Sequence, residues 1–228
     1  MTTQQAIQRH QGPHLALLAI LYFVLFNAGL YPVTMFAGLP YWPGPWEPAS
    51  VIVPYFQTHH TQVLTCIFLQ FGAILCFGLF AAVSVSQMRF LGVRSAGPWI
   101  ALFGGFLVVS DAFAAGLAMW TLIHPVVVQT PSAVLALYYL SYALGGPGFS
   151  IPMGLFIAGI SISALLHKLL PKWICIVLAV AGELSWFHLI SPAVLFLIPL
   201  TRFPGFIWLI AVAFALPRTI PFRAPEAI

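Results

Sequence analysis

The amino-acid sequence predicts an all-α fold, a polytopic transmembrane helix bundle with six spans and both termini in the cytoplasm. Two features of composition carry this expectation: 61% of the 228 residues are hydrophobic and only 5% are charged. The third is distribution, since the apolar residues gather into runs of membrane-crossing length. Mean hydropathy is +1.03. A soluble domain carries about 25% charged residues, so this chain has too few to cover a water-facing surface. Lipid must be the solvent for most of its outside.

A crossing helix needs ~20 mainly apolar residues, and runs at about 15–38, 61–85, 97–121, 149–167, 173–190 and 195–217 meet that requirement. The first follows a polar segment and exceeds the ~7–15 residues of a signal-peptide core, so it is expected to be a retained helix. No internal repeat divides the chain, and residues 1–228 are expected to form a single membrane domain. Between the first two runs lies LPYWPGPWEPASVIVPYFQTHH (39–60). Its prolines, Pro40, Pro43, Pro45, Pro48 and Pro54, argue against a continuous helix. Tyr41, Trp42, Trp46 and Tyr55 suit the headgroup layer, where amphipathic rings are favoured.

The stretch 131–167 is too long for one ordinary span, since it would make a helix of ~55 Å. Gly145-Gly146-Pro147-Gly148 is expected to break it. A separate crossing over 132–145 would be only ~21 Å long, short of the ~30 Å hydrocarbon core. It would also move Lys168 and Lys172 to the opposite side. An outer half-helix or kinked extension leading into a span from about 149 is the expectation. Small residues that let helix backbones approach occur on the third span (Gly104, Gly105, Ala112, Ala115, Gly116), the fourth (Gly154, Ala158, Ser161) and the fifth (Ala181, Gly182, Ser185).

With six crossings, Arg9, Arg89, Arg94, Lys168, Lys172, Arg218 and Arg223 all fall on one side, and only Arg202 stands apart. The positive-inside rule makes that side cytoplasmic, as in a bacterial inner membrane. The carboxy-terminal third adds LPKWICIVLAVAGE (170–183) and PGFIWLIAVAFAL (204–216). This ending resembles that of a family of uncharacterised bacterial six-helix membrane proteins of unknown function. In that pattern a Leu-Pro-basic-Trp turn opens the fifth helix and an Ile-Trp-Leu run closes the sixth. The resemblance implies the six-helix count and no activity.

Ionisable residues inside a bilayer cost at least ~2.5–3.5 kcal/mol on insertion scales, so each needs an explanation. Asp111 falls about 20 Å into the third span and Glu183 about 16 Å into the fifth. Arg202 falls about 22 Å from the inner face in the sixth, and His188 in the outer half of the fifth. If those helices are neighbours, the two acids and Arg202 converge on one polar cavity; the alternative is a structural ion pair or acids kept protonated by desolvation. Asn27 in the first span, and Gln62 and Gln70 in the second, are able to hydrogen-bond across helices, Gln70 the more deeply placed of the two glutamines. His59, His60 and His124 are of a type that metals accept. Their spacing matches no metal motif, and interfacial histidines are the simpler account. Cys66, Cys76 and Cys175 lie in apolar runs without a CxxC pattern and read as small buried hydrophobes. Tyr138, Tyr139, Ser141 and Tyr142 read as an aromatic belt at headgroup level, or else the lining of an outer vestibule.

Hydrolase, metalloprotease, phosphate-loop and dinucleotide motifs are absent, and no basic patch with interleaved aromatics suits nucleic acid. The sequence names no cofactor. Its leading expectation is binding or transport of a small molecule or ion through a polar cavity open to the outer side. The cavity would be built from Asp111, Glu183, Arg202, His188, Gln70 and Asn27. Two other classes fit the composition: an accessory or scaffold subunit packed against a membrane-protein partner or a second copy of itself, and an intramembrane enzyme acting on a lipid or quinone.

Overall fold

A computed structural model of the chain describes residues 7–34, 37–169 and 197–221, without the side chains of Ile7, 197–204 and Pro221. The predicted fifth span, with Glu183 and His188, lies outside the described residues, and so does the Arg202 side chain. The described elements are α1 (Leu15–Leu30), a 3-10 turn at Tyr31–Val33, α2 (Ala49–Thr58), α3 (His60–Phe90), α4 (Gly97–Leu122), α5 (Pro131–Gly145), α6 (Pro147–Leu166) and α7 (Leu197–Ala215). Two short strands, β1 (Ile7–Arg9) and β2 (Thr219–Pro221), pair antiparallel with Gln8 opposite Ile220. Among the described residues the protein is all-α apart from that pair.

Four described stretches are long and apolar enough to cross a membrane: Leu15–Val33, His60–Phe90, Gly97–Leu122 and Pro131–Leu166. Their outward faces carry large apolar side chains at mid-helix, such as Phe68 (75% exposed), Leu75 (56%) and Phe106 (67%). Ser84, Gln87, Ser150, Ser161 and Ser163 are buried. Polar groups turned inward and bare hydrocarbon turned outward suit a lipid solvent.

Helix limits differ from the sequence reading where local chemistry outweighs hydropathy. The first helix stops short of residue 38: it ends at Leu30, and the chain tightens into the 3-10 turn, where Pro32 has no N–H to continue the α-helical ladder. The third described helix, α3, continues past residue 85 to Phe90. It ends at Gly92, whose φ of +85° suits a left-handed helix stop. In the proline-rich 39–60 segment, a helix forms where the prolines argued against one continuous stretch. Pro48 sits at the N-cap of α2 and Pro54 inside it. Burial of Ile52, Val53, Tyr55 and Phe56 against Val63, Leu122, Val134 and Tyr138 outweighs the lost backbone hydrogen bond.

The expected break falls at Gly146 (φ −95°, ψ −96°), with Pro147 opening α6 in the first turn, where its missing N–H costs nothing. The two halves run in one direction along α4. Ser141 of α5 donates to the Ala115 carbonyl, and Gly148 lies against Asp111. Gly104 meets Pro152 and Phe156, and Gly97 meets Gly159 and Ser163. This is one kinked span, and it keeps Lys168 at the Gly97 end. A Cβ on Gly159 would stand 2.6 Å from both the Ala101 nitrogen and the Gly97 oxygen, so these backbones touch. The small residue that permits this on α6 is Gly159, rather than Ala158 or Ser161.

Two cores stack along the bundle axis. One fills the half nearer the strand pair with Tyr22, Phe77, Phe80, Phe156 and Trp208. The other lies at the opposite end with Phe56, Leu122, Ile123 and Tyr138.

Candidate functional site: a cavity between the two cores

A cavity of about 380 Å³ opens where the cores meet. Phe26 and Leu30 of α1, Cys66, Ile67, Gln70 and Ile74 of α3, Ala112, Ala115, Gly116 and Met119 of α4, and Ser141 and Gly145 of α5 form its walls. Val33, Thr34 and Trp42 close it at the end remote from the strand pair, and Phe149 of α6 completes it. A smaller hollow of about 190 Å³ adjoins it, sharing Trp42, Met119, Ser141 and Gly145 and adding Tyr138 and Tyr142. Small residues on α4 and the break at Gly145–Gly146 leave the space that larger side chains would fill.

Gln70 is the principal polar group on the wall. Its Nε2 donates to the Phe26 carbonyl at 3.1 Å, which is the cross-helix bond expected of a buried amide. Close approach at Gly29 makes this possible, since a Cβ there would lie 3.2 Å from the Cys66 oxygen and 3.3 Å from Gln70 Nε2. Among the described residues no donor meets Gln70 Oε1. Ser141 spends its proton on the Ala115 carbonyl at 3.0 Å and retains acceptor capacity. A ligand with a broad apolar body and one or two hydroxyl or N–H donors matches this wall.

The proline-rich segment roofs the site. Trp42 donates its backbone N–H to the Val33 carbonyl at 2.8 Å, and its ring packs edge-on against Phe56 at 5.2 Å. Tyr138, 1% exposed, donates its hydroxyl to the Pro43 carbonyl at 2.7 Å, and Tyr139 donates to Pro45 at 3.4 Å. Tyr138 and Ser141 are therefore interior tethers, not part of a headgroup belt; Tyr139 stays exposed. Burial, with the Cys66 thiol adding to it, pushes the Tyr55 phenol up to about 12. The roof carries an uncharged Tyr55 at any physiological pH.

The sequence-predicted site residues separate in space. Gln70 lines the cavity. Asn27 does not reach across helices; its amide donates to the Phe23 carbonyl of its own helix at 2.7 Å, which satisfies it locally. Asp111 stands at mid-height of α4, half-buried, beside the helix break. A Cβ on Gly148 would come within 3.2 Å of Asp111 Oδ2. Asp111 makes no hydrogen bond or ion pair among the described residues and is not on the cavity wall. Its neighbour Ala112 is.

The histidines at the end remote from the strand pair do not converge. His59 stacks on Tyr55 at 4.6 Å, with Nδ1 3.0 Å from the Tyr55 carbonyl. His124 accepts the Val126 N–H and packs against Trp120. Among the described residues no three His, Cys, Asp or Glu side chains gather to hold a metal. Trp42 and Cys66 belong to the site although the sequence reading gave them other places; Ser141 was read as belt or vestibule lining, and Thr34 was not singled out. The available signal was the pairing of a proline-aromatic segment with a tyrosine-rich helix, both at one end of the bundle.

The fold and the cavity define a class, an all-α membrane protein with a hollow between two packed layers. No protein-family model, curated protein or solved structure matches the chain.

Proposed function

We propose that this protein binds a small, mainly apolar molecule within the outer half of the membrane and passes it across or along the bilayer. The cavity between the cores carries this reading. Apolar walls favour a hydrocarbon-rich ligand, Gln70 Oε1 supplies an acceptor, and the tethered 39–48 segment covers the site from the outer side. A mere packing subunit has no use for a space of this size beside an amide. The scattered outer histidines weigh against an intramembrane enzyme built on them.

The membrane placement that accompanies this reading is six crossings in a bacterial cytoplasmic membrane, with the strand pair inside. An even number of crossings joins two segments that pair at one end, which supports six. Arg9, Arg89, Arg94, Lys168 and Arg218 lie at that end, and this charge supports its cytoplasmic side. Cysteines introduced beside Arg89 and Lys168 are expected to react with impermeant reagent only from the cytoplasm, and one beside Trp46 only from outside. Outside labelling at Lys168 would overturn this topology.

The binding test is direct. The protein is purified in mild detergent, and its bound lipophilic molecules are extracted and identified by mass spectrometry. Ala112→Phe, which projects a ring into the cavity, is expected to lose the enriched molecule while remaining monodisperse. Equal retention by the variant, or no enrichment over bulk lipid in the parent, would refute binding in this cavity.

A second reading keeps the acids. An intramembrane carboxyl beside a helix break marks ion or proton pathways by default, and Asp111 stands one residue from the cavity wall. Asp111→Asn would then abolish proton coupling without releasing the bound molecule. The wider polar cavity, with Glu183, His188 and Arg202, is tested by a double-mutant cycle of Arg202→Gln with Glu183→Gln or Asp111→Asn. Coupling above ~1 kcal/mol supports a shared site, and additivity in both cycles removes it.

A further inference from the structure

At the opposite end of the bundle, β1 and β2 enclose an open basin with the end of α3. Gln8, Arg9, His10, Gln11, Gly12, Phe90 and Arg218 form its surface. The charge there is one-sided. Of the described acids, Asp111 lies at mid-height and Glu47 at the far end, so no described carboxylate answers Arg9 and Arg218.

Two buried donors at the basin have no partner among the described residues. Arg218 donates one terminal N–H to the Gly12 carbonyl at 3.0 Å, but its Nε is buried with none. His10, 7% exposed, places Nε2 3.0 Å from Ser86 Oγ, while Nδ1 is buried without a partner. With the Ser86 hydroxyl donating to Nε2, a neutral imidazole carries its proton on Nδ1 and offers it as a donor. At Gly12 no side chain stands over that edge of the ring; a Cβ there would sit 3.1 Å from His10 Cε1 and 3.5 Å from Nδ1.

We infer that this basin is an anion site that takes a phosphate group, held by the guanidinium groups of Arg9 and Arg218 with His10 Nδ1 as an adjacent donor. Guanidinium forks fit phosphate oxygens, and such bonds are about twice as strong as neutral ones. Basic pockets on the cytoplasmic side of membrane helices take anionic lipid headgroups, and a free phosphate ion presents the same oxygens. The site is remote from the cavity between the cores and does not depend on the ligand bound there.

The full chain in dodecyl maltoside is titrated with dioctanoyl phosphatidylglycerol, followed by native mass spectrometry, and separately with inorganic phosphate, followed by calorimetry. Arg9→Gln is the principal variant, because Arg9 is exposed and its side chain makes no hydrogen bond among the described residues. Arg94→Gln removes the same charge at the same end outside the basin. Saturable binding weakened about tenfold by Arg9→Gln and unchanged by Arg94→Gln is expected. Binding of the lipid alone identifies a headgroup site, and binding of inorganic phosphate identifies a site for the free ion. No saturable binding of either probe, or equal weakening by Arg94→Gln, would overturn the site, because the second result is diffuse surface charge.

Discussion

The two ends of this bundle solve the burial of backbone polar groups differently. At the basic end, helices close on one another by direct polar links. Gln87 of α3 donates to the carbonyls of Leu216 and Pro217 at 3.0 and 2.8 Å, which satisfies the end of α7. His10 reaches Ser86, and Arg89 lies over the Trp99 ring at 5.2 Å. At the other end, a broken helix and a proline-rich roof leave a hollow, and the tyrosine tethers span it. Glycines carry the difference. Gly97, Gly104 and Gly159 bring α4 and α6 into backbone contact near the basic end, whereas Gly145 and Gly146 end α5 and leave space. One residue type closes one half and opens the other, depending on whether a facing backbone fills the gap.

The largest expected effect tests the closed half. Gly159→Ala places a methyl group against two backbone atoms that no rotamer can clear. A loss of about 2–3 kcal/mol is expected, measured by denaturant or thermal unfolding in detergent. Gly145→Ala, whose Cβ would meet only the Ala115 methyl at 3.5 Å, is expected to cost less than half as much. Equal costs would erase the contrast between the halves.

Gln87→Leu strips the donor from two carbonyls at the end of α7 and is expected to cost about 1–3 kcal/mol. The loss should appear as faster amide exchange of residues 212–216, with the cavity ligand still bound. Tyr138→Phe removes only the hydroxyl that holds Pro43, an expected loss of about 1 kcal/mol. Exchange should rise in residues 39–48 and not in α4, and faster release of the bound molecule should accompany it. No change in either would show that the roof does not depend on this tether.

The smallest effect is a pH dependence at the strand pair. Burial, with the Arg218 charge adding to it, holds the His10 imidazole below its ordinary value of 6.5. The folded pKa is depressed, so the unfastened terminus takes up the proton first as pH falls. The stabilisation is therefore complete above about 6.5 and is lost as pH falls from there toward the folded value. Exchange of residues 7–10 and 218–220 should quicken over that window. His10→Gln, which cannot titrate, should flatten the profile. An unchanged profile in that variant would assign the effect to another group.

Much of this architecture was legible in the residues because lipid imposes a coarse and strict rule. Helices must be long and apolar, so α1, α3, α4 and α7 could be located from hydropathy, and the Gly-Gly-Pro-Gly break from backbone chemistry. The position of Asp111 near the middle of its helix also followed from rise per residue, and Gln70 was marked as a deep amide able to bond across helices. Adjacency was not legible. Asn27 and Gln70 carry the same amide chemistry, yet Asn27 bonds to its own helix and Gln70 bonds to α1. The choice depends on Gly29 letting the α1 backbone approach α3. Trp42 and Tyr138 looked like interfacial aromatics because a ring at that depth suits a headgroup layer equally well. Only contact between the 39–48 segment and α5 turns them into a roof and its tether. Hydropathy records how each residue is solvated and says nothing of which neighbour it meets. The sequence by itself therefore determined solvent, helix positions and charge asymmetry, while the cavity and the anion basin arose from non-local packing that the tertiary structure alone decides.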